Sequence, residues 1–85
     1  MTIIKKLFIA NRAEIALRIV HTARRMGIAT VVPVHNQDRY GSALTEADET
    51  VEIFGTPAVV AWLDIHSMIR AAIDTGCDAI HPGYG

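Results

Sequence analysis

The spacing of apolar residues changes several times along this 85-residue chain, and each change predicts an element. Residues 4–10 (Ile-Lys-Lys-Leu-Phe-Ile-Ala) become apolar toward their end and predict a first strand. Asn11 and Glu14 then form an N-x-x-E capping box, so a helix begins near Arg12 or Ala13. Ile15, Ile19, Ala23 and Met26 recur every three or four residues, with Ala16 and Val20 beside them, which predicts one buried helical face. Gly27 suits a left-handed C-terminal cap. Residues 29–35 are rich in β-branched side chains and predict a second strand. Pro33 cannot donate to a ladder, so this strand is expected to be irregular or to end early. Residues 36–49 are polar, with one helical turn expected near Ala43–Ala47. A short third strand is expected at 50–54, before Gly55-Thr56-Pro57 breaks the pattern. A second long helix is predicted over about 64–75, with Ile65, Met68, Ile69, Ala72 and Ile73 on its inner face and Gly76 at its stop. Residues 78–81 form the last predicted strand.

Strands alternating with helices across short loops imply parallel pairing and right-handed crossovers. The expected fold class is α/β, a Rossmann-like open parallel sheet with flanking helices. The chain shows no internal repeat, low-complexity stretch or domain linker. Its last five residues, His81-Pro82-Gly83-Tyr84-Gly85, form a glycine-rich turn at the carboxyl end of a strand. Ligands bind at that edge in open α/β sheets. A domain rarely stops inside such a turn, so the chain is expected to be the front piece of a larger enzyme, truncated at this point.

Charge narrows the function. Eight Lys and Arg against nine Asp and Glu leave a formal net charge of -1, with no basic excess for nucleic acid and no polybasic run for anionic lipid. No apolar stretch approaches the ~20 residues of a membrane span, and the N-terminus lacks the layout of a secretory signal. The single cysteine, Cys77, excludes an internal disulfide and fits a reducing, cytoplasmic setting. His21, His35 and His66 have no metal-ligand spacing with one another or with Cys77, so no metal site is expected. The turn after the first strand, residues 10–16, has no glycine to let backbone approach a pyrophosphate. Asp38 stands where a ribose-binding acid would, but a loop acid that caps or pairs with Arg39 explains it equally. No Gly-Lys-Ser or Gly-Lys-Thr phosphate loop occurs.

Five motifs then converge on one family. Ile9-Ala10-Asn11-Arg12-Ala13-Glu14-Ile15-Ala16-Leu17-Arg18-Ile19 resembles the opening signature of the biotin carboxylases. In order along the chain, Asp38-Arg39, Ala47-Asp48-Glu49, Trp62-Leu63-Asp64-Ile65 and His81-Pro82-Gly83-Tyr84-Gly85 resemble later motifs of the same family. The first and last are distinctive. The resemblance implies the N-terminal domain that precedes the ATP-grasp domains. It implies an enzyme that activates bicarbonate with MgATP and carboxylates biotin on a carrier protein or domain. A carboxyltransferase then serves acetyl-CoA, propionyl-CoA, methylcrotonyl-CoA or pyruvate. In the family, the ATP-binding lysines, metal-binding glutamates and bicarbonate-binding arginine lie downstream, so residues 1–85 alone are expected to have no catalytic residue, no bound cofactor and no activity. Two other readings are a leading domain of another ATP-grasp ligase and a non-catalytic subunit-interface module.

The resemblance also implies roles for particular residues. His81, Gly83, Tyr84 and Gly85 are expected to line the pocket for biotin and bicarbonate. The alternative is a turn fixed by Pro82 and two glycines. Asn11 and Glu14 are expected to cap the helix rather than bind ligand. Arg12 is expected to pair with Asp48, Glu49 or a neighbouring domain. Arg18, His21 and Arg25 share one side of the first helix. The family uses this face to join two subunits about a two-fold axis, so the parent is expected to be a homodimer. His21 and Arg25 depart from the basic and acidic residues of bacterial-type members, which weakens that contact here. Ala13 replaces the glycine of N-R-G-E and is harmless if helical.

Overall fold

Lys6–Ile9 forms strand β1 in the computed structural model, which describes residues 4–10, 13–34, 46–52 and 65–82. Helix α1 follows at Ala13–Arg25 and strand β2 at Ala29–Val34. Strand β3 covers Glu49–Glu52, helix α2 Ile65–Asp74 and strand β4 Ala79–His81. All pairings are parallel, and the sheet order is β3-β2-β1-β4. The expected α/β architecture is therefore present.

This order explains the layering. From β1 the chain steps sideways to β2; from β3 it returns past both strands to β4. Right-handed crossovers on opposite directions of travel put their helices on opposite faces. The buried side chains divide accordingly. Ile9 and Val32 pack with Ala16 and Val20 of α1, while Phe8 and Val31 pack with Met68, Ala71 and Ala72 of α2. Neighbouring strand residues point to opposite faces, so β1 and β2 feed both cores. Phe8 and Ile9 are fully buried, and each contributes about 1.5–3 kcal/mol of burial.

Both helices turn their expected faces somewhat. On α1, Ala16, Val20 and Ala23 are buried, whereas Ile15 and, just past the helix end, Met26 are exposed. On α2, Met68, Ala71 and Ala72 are buried, whereas Ile69 and Ile73 are exposed. In each case alanines occupy the contact line, because a small side chain lets a helix sit close against the β-branched surface of the sheet. Apolarity alone does not distinguish Ala71 from Ile73. The depth of contact does.

Gly27 and Gly76 both adopt φ 75°, as expected of left-handed caps. Ile28 N–H donates to the Ala23 carbonyl and Gly27 N–H to that of Arg24. Cys77 and Gly76 repeat the pattern onto Ala72 and Ile73. Two Schellman motifs therefore end the two helices. Strand β2 runs regularly through the buried Pro33, contrary to the expected irregularity. The pairing with β1 stops at Val31, and Pro33 lies opposite Val51 of β3. Its missing N–H therefore costs no ladder bond to β1. The turn expected near Ala43–Ala47 and the end of the strand expected at 50–54 lie largely outside the described residues.

Candidate functional site

The two distinctive motifs meet at one place. Ile9 of β1 lies opposite His81 of β4, and Ala10 N–H donates to the His81 carbonyl at 3.0 Å. From β1 the chain leaves toward β2, while β4 lies on the other side of β1. The carboxyl ends of β1 and β4 therefore flank the topological switch point, where open α/β sheets form their ligand crevice. His81 and Pro82 are exposed there. Gly83, Tyr84 and Gly85 lie outside the described residues, as do Asn11 and Arg12. Glu14 stands in the first turn of α1, but its side chain is likewise outside the description. Neither the capping box nor the expected Arg12 pair can be traced. Ala13 is helical, as its place in the capping box predicts.

Arg18, His21 and Arg25 are exposed on α1. His21 Nε2 hydrogen-bonds to the Glu46 carboxylate, and Arg24 donates to the Glu46 backbone carbonyl. Arg25 reaches Thr22 Oγ1 at 3.5 Å. This side of α1 thus clasps the segment that leads into β3.

At the amino end of the sheet, opposite the switch point, charged groups act as fasteners. The Asp48 carboxylate accepts the buried Thr30 N–H at 2.8 Å. The Asp78 carboxylate accepts Lys5 N–H at 2.8 Å and Lys6 N–H at 3.0 Å. The Lys6 ammonium pairs with Glu49 and donates to the Thr75 carbonyl. Its bond to Glu49 raises the Lys6 pKa above the ordinary 10.5, against an opposing effect of desolvation. Among the described residues, Asp48 binds Thr30 and Glu49 binds Lys6. Sequence reasoning overlooked Asp78 and Lys6. The available signal was an aspartate just ahead of each edge strand, in Ala47-Asp48-Glu49 and Cys77-Asp78-Ala79.

Among the described residues, no group of three His, Cys, Asp or Glu side chains could hold a metal ion. No described helix is long and apolar enough to cross a membrane.

Comparison with known proteins agrees with this geometry. A family model described as the N-terminal domain of biotin carboxylase matches residues 3–85. The chain is 48% identical over 82 residues to the mitochondrial methylcrotonoyl-CoA carboxylase subunit alpha of Glycine max, covering 96% of this chain and 11% of that protein. It is 46% identical over 82 residues to the biotin carboxylase of Haemophilus influenzae, covering 96% of this chain and 18% of that one. The crystal structure of Kluyveromyces lactis urea carboxylase superposes with a TM-score of 0.89 at 45% identity, over 96% of this chain and 7% of that one. The chain therefore spans less than a fifth of the length of these relatives.

Proposed function

The chain belongs to the biotin carboxylase N-terminal domain family, and on that premise we propose that it serves as the leading domain of an ATP-dependent biotin carboxylase. The parent enzyme activates bicarbonate with MgATP and carboxylates a ureido nitrogen of biotin held on a carrier protein or domain. A carboxyltransferase then passes the carboxyl group to its acceptor. The observation that carries this reading is the meeting of the two distinctive motifs at the switch point, tied by the Ala10–His81 hydrogen bond.

The part assigned to this domain is to line and orient, not to supply ATP or Mg2+ ligands. The turn after β1 has no glycine for a pyrophosphate. Those groups belong to the domains that follow in the family. The glycines at 83 and 85 let backbone N–H groups approach an anion such as bicarbonate, while Tyr84 offers a flat apolar face to the ureido ring. His81 borders this pocket as a hydrogen-bonding residue. The carboxyl acceptor is selected elsewhere in the enzyme: relatives of nearly equal identity carry names for methylcrotonoyl-CoA and for urea.

The parent is expected to form a homodimer through the Arg18–His21–Arg25 side of α1. The free thiol of Cys77 suits a reducing compartment such as the cytoplasm. The test is ATP hydrolysis by the full-length polypeptide that carries this sequence. Hydrolysis should require both bicarbonate and biotin, and Tyr84→Ala should raise the KM for bicarbonate or biotin at least fivefold. ATP turnover indifferent to biotin would refute the proposal.

A further inference from the structure

We propose that Asp78 is a positioning residue for His81 and Pro82 at the carboxyl end of β4, an inference that rests on the reading of this end as pocket lining. Strand β4 has three residues and sits at the sheet edge. Its side chains bury little: Ala79 is partly buried, Ile80 is 38% exposed and His81 is exposed. Packing therefore does little to hold β4 in place along β1. Backbone pairing and Asp78 do that work. The carboxylate of Asp78 accepts Lys5 N–H and Lys6 N–H through one oxygen, Oδ2, while Asp78 N–H donates to the Lys6 carbonyl at 2.8 Å. Three register pairs follow, Leu7 with Ala79, Phe8 with Ile80 and Ile9 with His81. The Ala10–His81 bond closes the far end.

A slip of one residue along β1 moves His81 by about 3.3 Å and sends alternate side chains to the opposite face. Displacements of about 1 Å at a reacting centre already cost on the order of 100-fold in rate. Hydrogen bonds to an ionised carboxylate are the stronger kind, and two of them converge at the start of this short, mostly exposed edge strand. Asp78 is itself exposed, so water replaces part of its contribution to stability. Its larger effect is on where His81 sits.

Asp48 provides an internal control. It accepts the Thr30 N–H in the same manner and leads into β3, the opposite edge of the sheet. Losing it removes a comparable fastener from the strand that does not carry His81.

The experiment uses the full-length polypeptide carrying this sequence and its bicarbonate- and biotin-dependent ATP hydrolysis. Asp78→Ala should raise the KM for bicarbonate at least threefold while the KM for ATP stays within twofold. Asp78→Asn, whose amide oxygen can still accept both N–H groups, should remain within twofold of the parent. Asp48→Ala should lower the melting temperature at least as much as Asp78→Ala yet leave the bicarbonate KM within twofold. Hydrogen exchange in the peptide spanning residues 78–85 should accelerate in Asp78→Ala and not in Asp48→Ala. Asp78→Ser replaces the alanine variant if that one fails to fold. The inference is overturned by an unchanged bicarbonate KM in Asp78→Ala, by equal shifts in the Asp78 and Asp48 alanine variants, or by failure of Asp78→Asn to preserve the KM. If Tyr84→Ala raises KM and Asp78→Ala does not, positioning alone fails. If neither does, the pocket reading fails with it.

Discussion

Thr30 and Asp48 hold each other through three hydrogen bonds. The Asp48 carboxylate accepts the Thr30 N–H at 2.8 Å and its hydroxyl at 3.2 Å, and Asp48 N–H approaches Thr30 Oγ1 at 3.3 Å. Thr30 is 1% exposed, so its N–H depends on that carboxylate. Asp48→Ala strands a buried donor and should destabilise the fold by about 1–3 kcal/mol. Asp48→Asn keeps an acceptor and should cost less. Denaturant titration of the three proteins checks the order; equal stability of Asp48→Ala and the parent excludes the role.

Gly27 and Gly76 share the same positive φ, and an added Cβ at either meets nothing within 4 Å. Space is therefore not the obstacle, and backbone conformation is. Alanine at either site should cost on the order of 1 kcal/mol, with asparagine between glycine and alanine. Thermal melts of the four single variants test this. An alanine variant that melts with the parent contradicts the left-handed cap.

The two sides of α2 should respond oppositely to changes in side-chain size. Ala71 is buried against Phe8 and Val31, and Ala71→Leu should cost about 1–3 kcal/mol through overpacking. Ile73 is 68% exposed, and Ile73→Ser should stay within about 0.5 kcal/mol in the 85-residue chain. Urea titration of that chain decides the matter, and the reverse ranking would restore the helix face expected from apolarity alone.

Lys6 links β1 to Glu49 of β3 and to the Thr75 carbonyl that ends α2. Its pKa is raised in the folded state, chiefly by the Glu49 bond. A raised lysine pKa means stabilisation that is complete below the unfolded value and lost as pH climbs through the folded one. Melting temperature should therefore fall more steeply above pH 10.5 in the parent than in Glu49→Gln. Parallel profiles would show that the pair contributes nothing.

Much of this protein was legible in its sequence because its signals are local. Alternating strand and helix patterns determined an α/β parallel fold, glycines at 27 and 76 determined where the helices stop, and ordered motifs from Ile9 to Gly85 determined the family. Periodicity, caps and motifs each rest on residues a few positions apart. Tertiary structure decided what depends on distant partners. It made Ala71 rather than Ile69 or Ile73 a core residue, because the orientation of α2 turns Met68, Ala71 and Ala72 toward Phe8 and Val31. It let Pro33 continue β2, because the β1 partner had already ended. It brought residue 10 to residue 81 and residue 5 to residue 78, since only the crossing connection from β3 to β4 makes β1 and β4 neighbours. No local pattern carries that information: strand order arises when both faces of the sheet are covered at once.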